Sequence, residues 1–345
     1  MKLRLSVFLG LMLLALGVLD HYLQLREAEA RRTHSIFRPL VDPRLEIVPE
    51  RVRRLHLTLP GTQPLAYERR GNTWRFPAYF DAYVPPGRIE RLLESVLTTY
   101  GTLVTDDASQ MADYGLDPSR AVRIAAEDAS GQALVEVWVG GAIAAGSGES
   151  YARRADSESI LHLHASPARE IGGGRPPMID PRLLPQALPR GTVSEIRVMH
   201  EDGPYALRRV AAPVDVDSPL PFSPHERARF RWIVDGTAGV DTCFNLSVYS
   251  YLDFVSRVMI VQLVDPAGDY GFVEGPQVEL IDEEGGVTTI EVGARHELGT
   301  YAHNVGARLV SIVDEQAATW LTPPAQSFLD TLPSPSIYEQ LLHQR

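Results

Sequence analysis

Asp113-Tyr114-Gly115-Leu116-Asp117-Pro118 has a counterpart 156 residues downstream, Asp269-Tyr270-Gly271-Phe272. The segments after the two boxes also match. After the first come apolar runs at residues 121–125 and 133–139, the second ending on Gly140-Gly141, then runs at 151–154 and 160–163. After the second come runs at 278–281 and 289–292, the latter ending on Gly293, then runs at 299–302 and 309–312. Tyr114, Gly140 and Tyr151 are spaced 26 and 11 apart, and Tyr270, Gly293 and Tyr301 are spaced 23 and 8 apart. Differences of three fit altered hairpin loops between the same strands. A self-match at fixed offset predicts one unit written twice.

The segments before each box extend the pattern. Val52, Leu55, Leu57 and Leu59 alternate with polar residues, and residues 65–76 form a hairpin pattern turning at Gly71-Asn72, with Trp74 in its second arm. Ile89, Leu92, Leu93, Val96, Leu97 and Tyr100 then follow helical spacing. In the second half Val193, Ile196 and Val198 open the unit, and Tyr205-Ala206-Leu207 answers Leu65-Ala66-Tyr67. Ser223-Pro224-His225-Glu226 reads as a capping box, which predicts a helix running on through Phe230, Ile233 and Val234. The expected fold is α+β: an N-terminal transmembrane helix, then two similar units, each a mainly antiparallel sheet of about six strands with a helix packed on it. The expected boundaries are an anchor at 1–25, a linker at 26–48, units at 49–170 and 191–325 joined by a Gly- and Pro-rich linker at 171–190, and a tail at 326–345.

The anchor rests on residues 5–19, an uncharged apolar run behind Lys2 and Arg4, extended by Tyr22, Leu23 and Leu25. The run alone is shorter than a span of about 20 residues, and the extension completes it. Small residues lie inside the run and no polar break succeeds them, which favours an uncleaved anchor over a cleaved signal. A short basic tail ahead of a large body predicts an inside N-terminus and a periplasmic, or otherwise extracytoplasmic, body on the cytoplasmic membrane.

Of 33 basic residues in 345, the only lysine is Lys2. P-loop phosphate binding and Schiff-base chemistry both need a lysine in the folded body. The net charge is −11: residues 1–100 carry +5 and residues 101–345 carry −16, an acidic body that repels nucleic-acid backbones. Cys243 is the single cysteine, so there is no internal disulfide, and it reads as a small buried hydrophobe.

The Tyr114-Gly115-Leu116-Asp117-Pro118 box, Trp74 in the hairpin, the strand end at Gly140 and the Tyr151-x-Arg153 strand resemble the bacterial domain-of-unknown-function family 4340. The resemblance is fuller over residues 45–170 than over 190–325, where Phe272-Val273-Glu274 replaces Leu116-Asp117-Pro118. It implies a single-pass or exported protein that accompanies ABC-type transporter components similar to gliding-motility auxiliary proteins. It implies no catalytic residue. Tyr114, Gly115, Leu116, Asp117, Gly140, Tyr151, Tyr270, Gly271, Gly293 and Tyr301 are the motif positions, read as structural, with Tyr114 and Tyr270 expected to plug the core with the hydroxyl outward.

No catalytic, cofactor-binding or metal residue is assigned. His162 and His164 share one strand face as a two-histidine metal pair would, but no third ligand is evident nearby and they read as solvent-facing. His296-Glu297 and His303 lack the four-residue spacing of a zinc-protease helix. Gly146-Ser147-Gly148 lacks the nucleophile elbow, and the acidic pairs Asp106-Asp107, Glu201-Asp202 and Glu283-Glu284 read as solvated turns. The expected function is a non-enzymatic, membrane-anchored accessory or scaffold subunit with protein partners in a membrane complex. The alternatives are a peptide- or glycan-binding module and a hydrolase with its site between the repeats.

Overall fold

A computed structural model describes residues 37–144, 146–173, 176–185, 191–211, 230–236 and 239–329. The predicted anchor, the first part of the expected 26–48 linker, the capping box at 223–226 and the last part of the tail lie outside the described residues. Apart from the short segment 79–83, the chain divides into two compact units, one through residue 179 and the other from residue 180.

The first unit contains β1 (Phe37–Pro39), β2 (Arg54–Thr58), β3 (Leu65–Arg70), β4 (Thr73–Phe76), β5 (Ala82–Tyr83), α1 (Arg88–Thr98), β6 (Tyr100–Thr105), β7 (Val122–Glu127), β8 (Ala133–Ala142), β9 (Ser150–Arg154) and β10 (Ile160–Leu163). These strands make one ten-stranded sheet in the order β1-β6-β10-β9-β8-β7-β2-β3-β4-β5. The pairings from β1 through β4 are antiparallel. The strands form because Leu55 and Leu57 alternate with His56, and Val135, Val137 and Val139 with Glu136 and Trp138, so one face of each is apolar. Ile89, Leu92, Leu93 and Val96 make the buried stripe of α1. Tyr67 is fully buried, and its hydroxyl donates to the Pro177 carbonyl at 2.6 Å.

The second unit contains β11 (Val193–His200), β12 (Gly203–Ala211), β13 (Phe230–Gly236), β14 (Gly239–Thr242), α2 (Asn245–Arg257), β15 (Ile260–Val264), β16 (Gln277–Asp282), β17 (Val287–His296), β18 (Gly299–Asn304), β19 (Leu309–Val313) and α3 (Glu315–Leu321). Its nine strands run β14-β13-β12-β11-β16-β17-β18-β19-β15, all antiparallel. Read from β6 to β5 and from β15 to β14, the two sheets have the same strand order, with β1 as the extra strand of the first. The helix falls at the same place in each, after β5 and after β14. Val248, Tyr251, Leu252 and Val255 of α2 pack into a core with Trp232, Leu207, Val278 and Phe328.

Several expectations are corrected. Residues 230–236 are strand, not helix: Phe230, Trp232 and Val234 alternate with a period of two, and Trp232 and Val234 are buried while Arg231 faces out. The described helices of the second unit lie later, at α2 and α3. Tyr100 begins β6 rather than ending α1. Each sheet has about half as many strands again as expected, because short edge strands such as β1 and β14 carry little sequence signal. Parts of the expected linkers and tail are packed: Leu40 and Val41, Leu183 and Leu184, and Phe328 are all nearly inaccessible. Asn304 donates its side-chain amide to the Leu183 carbonyl at 3.0 Å, tying that stretch down.

Candidate functional site

The motif positions come together as two equivalent boxes. Gly115 and Gly271 both have left-handed backbone, with φ of 67° and 72°, a conformation costly for residues with a Cβ. That turn carries Tyr114 and Tyr270 back over the ends of β8 and β17. Gly140 and Gly293 make the approach possible, since a Cβ on Gly140 would lie 3.0 Å from the Tyr114 carbonyl oxygen, and one on Gly293 would collide with that of Tyr270. Register slips directly after both glycines, between Val139 and Ala142 and between Val292 and Arg295. Such slips are β-bulges, which bend a strand and re-aim its side chains.

Each turn tyrosine meets the tyrosine of the next strand. The Tyr114 and Tyr151 ring centroids are 4.8 Å apart, and those of Tyr270 and Tyr301 are 4.4 Å apart. Both pairs are half-buried on the face away from the core, because Ser150 and Ala152 flank Tyr151 on the buried side, as Thr300 and Ala302 flank Tyr301. The Tyr270 hydroxyl donates to the Asp265 carbonyl at 2.8 Å, and burial with the nearby Asp265 carboxylate raises its pKa. Leu116 is the motif residue that enters the core. Asp117 accepts the Ser119 amide at 3.1 Å, and bonds from Ser119 and Arg120 hold its carboxyl below the usual range. It closes the turn leading into β7.

An outward row of rings continues from Tyr151. His162 lies 5.6 Å from it, His164 lies 5.1 Å from His162, and Phe37 lies 6.2 Å from His164. The two histidines, which have no evident third ligand near them in the sequence, meet Glu149 in the fold. Its carboxylate stands 3.7 Å from His162 Nε2 and 3.7 Å from His164 Nδ1. Nothing in the spacing of Glu149 announces this; the β9–β10 register does, pairing Ser150 with Leu163 and Tyr151 with His162. The corresponding face of the second unit carries His303 against Glu291 at 2.7 Å and against the Phe272 ring at 5.4 Å, with His296 5.3 Å from Tyr301. His296 and His303 sit on neighbouring strands, not on a helix.

The other candidates stay apart. Cys243 is buried, and burial pushes its thiol up to about 12, so it is a poor nucleophile. Asp106 bonds Arg38 at 2.7 Å and Ser159 at 2.6 Å, Asp107 caps its own turn through the Ser109 amide, and Ser147 donates to the Ala144 carbonyl within its loop. Among the described residues no helix is long and apolar enough to cross a membrane.

Neither the curated proteins nor the solved structures contain a match to the chain. The family described as Domain of unknown function (DUF4340) matches residues 42–229, more than half of the sequence. The match begins ahead of β2 and takes in the whole first box, with Trp74, Tyr114, Gly140 and Tyr151, together with the opening strands of the second unit. The chain belongs to the DUF4340 family.

Proposed function

We propose that this protein is a membrane-anchored, extracytoplasmic accessory subunit, made of one duplicated unit and held by residues 1–25 with its N-terminus in the cytoplasm. Its partners on this reading are the permease components of an ABC-type transport or motility-like complex, the association that the family resemblance implies. The observation that carries the accessory role is the repeated strand order, with the same outward tyrosine pair in each unit. Two antiparallel sheets with open edges and an outward aromatic row offer adhesive surface, while Asp106, Asp107 and Asp117 are spent on turns and cross-strand pairs. The anchor is supported by the apolar run at 5–19, and the acidic body argues against anionic polymers as ligands.

The outward tyrosines also suit a second reading, a module that stacks a glycan or peptide on Tyr114 with Tyr151 in the first unit, or separately on Tyr270 with Tyr301 in the second. Purification of the tagged full-length chain from membranes in mild detergent separates the two. An accessory subunit co-elutes with a permease pair. A chain that elutes alone as a monomer, and whose Tm rises on adding short peptides or glycan fragments, overturns the accessory role in favour of the module.

A further inference from the structure

We infer that Glu149, His162 and His164 bind one divalent transition-metal ion of the zinc type on the outward face of the first unit. The site is built by register. Cross-strand partners share a sheet face, and with Leu163 opposite Ser150 and both fully buried, the flanking positions 149, 162 and 164 all point the other way. One ligand atom from each of the three lies within 4.8 Å of the others. In a tetrahedral zinc site with bonds of roughly 2.0–2.1 Å, donor atoms sit about 3.4 Å apart. The 3.7 Å separations run from Glu149 Oε2 to His162 Nε2 and from Glu149 Oε1 to His164 Nδ1, so rotation of the side chains must draw one carboxylate oxygen and the two imidazoles in from a 4.8 Å spread.

The donor set selects the metal. Two imidazoles with one carboxylate suit zinc, nickel or copper, whereas calcium and magnesium want oxygen ligands. His162 Nε2 is shielded from solvent and has no hydrogen-bond partner, an orphaned donor or acceptor that a metal would satisfy. Side-chain exposure falls on His164, at 58%, which leaves the outer coordination position open to water or to a side chain of a docked protein. The loop bearing Glu149 is already fastened: the Ser166 amide donates to the Gly148 carbonyl at 2.9 Å and the Ile143 amide to the Glu149 carbonyl at 3.1 Å. The fold itself does not require the cluster, because in the second unit Ile312 stands opposite Tyr301 where His162 stands opposite Tyr151. Among the described residues this is the one place where three such donors converge; His303 with Glu291 supplies two.

The test is a calorimetric titration of the metal-stripped full-length chain in detergent with Zn²⁺, alongside His164→Ala, Glu149→Gln and His303→Ala. One equivalent is expected to bind, with affinity lowered at least about tenfold by the first two substitutions and unchanged by the third. Loading with Co²⁺ should give visible absorption bands that His164→Ala alters. Melting curves of the variants that match the parent protein without metal establish that the fold is intact. No heat of Zn²⁺ binding, or binding that persists unchanged in both His164→Ala and Glu149→Gln, overturns the assignment.

Discussion

Gly293 has no room for a side chain. A Cβ there would run into the Tyr270 carbonyl oxygen and come within 2.8 Å of the Phe272 ring, while at Gly140 the nearest atom would be 3.0 Å away. Gly293→Ala is therefore expected to lower stability by about 1–3 kcal/mol, the usual cost of overpacking, and Gly140→Ala by less, both read from thermal melts. A neutral result at Gly293 would mean that the box does not hold the tyrosine turn. Both glycines, both tyrosine pairs and the turn glycines stand out in the sequence because each needs a particular residue type and the pattern occurs twice. Glu149 does not stand out, because its meeting with His162 and His164 depends on hairpin register, and a one-residue slip would turn it to the other face. Tyr151 and Tyr301 face outward because the alternation along β9 and β18 assigns the core to Ser150, Ala152, Thr300 and Ala302. Cys243 behaves as its lone occurrence suggests, a buried thiol beside Trp232 with its backbone amide bonded to the Trp232 carbonyl at 3.0 Å.

Among the elements, strands with one apolar face are the legible ones, since β2, β8, β16 and β17 each alternate over several residues. The helices are less evenly legible. α1 carries a clean stripe, whereas α2 places Tyr251 among its buried residues and Ser247 and Ser250 elsewhere, so its pattern is diluted. Residues 230–234 invite a helical reading because five residues cannot distinguish a period of 3.6 from one of two. α2 nonetheless anchors the second core: Leu252 is fully buried, and Leu252→Ala is expected to cost about 2–5 kcal/mol. Leu93→Ala, in α1, is expected to cost a similar amount in the first core. Because each unit buries its own apolar set, the Leu252 change should lower the melting transition of the second unit and leave a first-unit transition in place. Differential scanning calorimetry reads this, and a single transition shifted equally by either substitution would contradict the independence of the cores.

For the molecule as a whole, charge and topology are the informative quantities. Among the described residues, arginines on strand faces pair with carboxylates: Arg123 with Glu136 at 2.8 Å, and Arg197 and Arg208 both with Glu195. Bonds from Arg123 and from Arg197 hold Glu136 and Glu195 below their usual range. Arg123–Glu136 and Arg208–Glu195 bridge neighbouring strands and Arg197–Glu195 lies along one strand, so these pairs support the sheets rather than form a phosphate-handling surface. The order of strands in each sheet is not legible from one copy, since alternation says which residues face inward and not which strand lies beside which. The two copies correspond visibly at the tyrosine boxes, and the shared order from β6 to β5 and from β15 to β14 extends the correspondence to every strand but β1. That extra strand comes from a stretch that reads as linker, because three residues of edge strand leave almost no periodicity to detect. An accessory role beside a permease requires the body to lie outside the cytoplasm behind its anchor. An alkaline phosphatase fused after Arg345 tests that most directly: an active, membrane-bound enzyme is expected, and an inactive fusion, present at full length inside the cell, would contradict it.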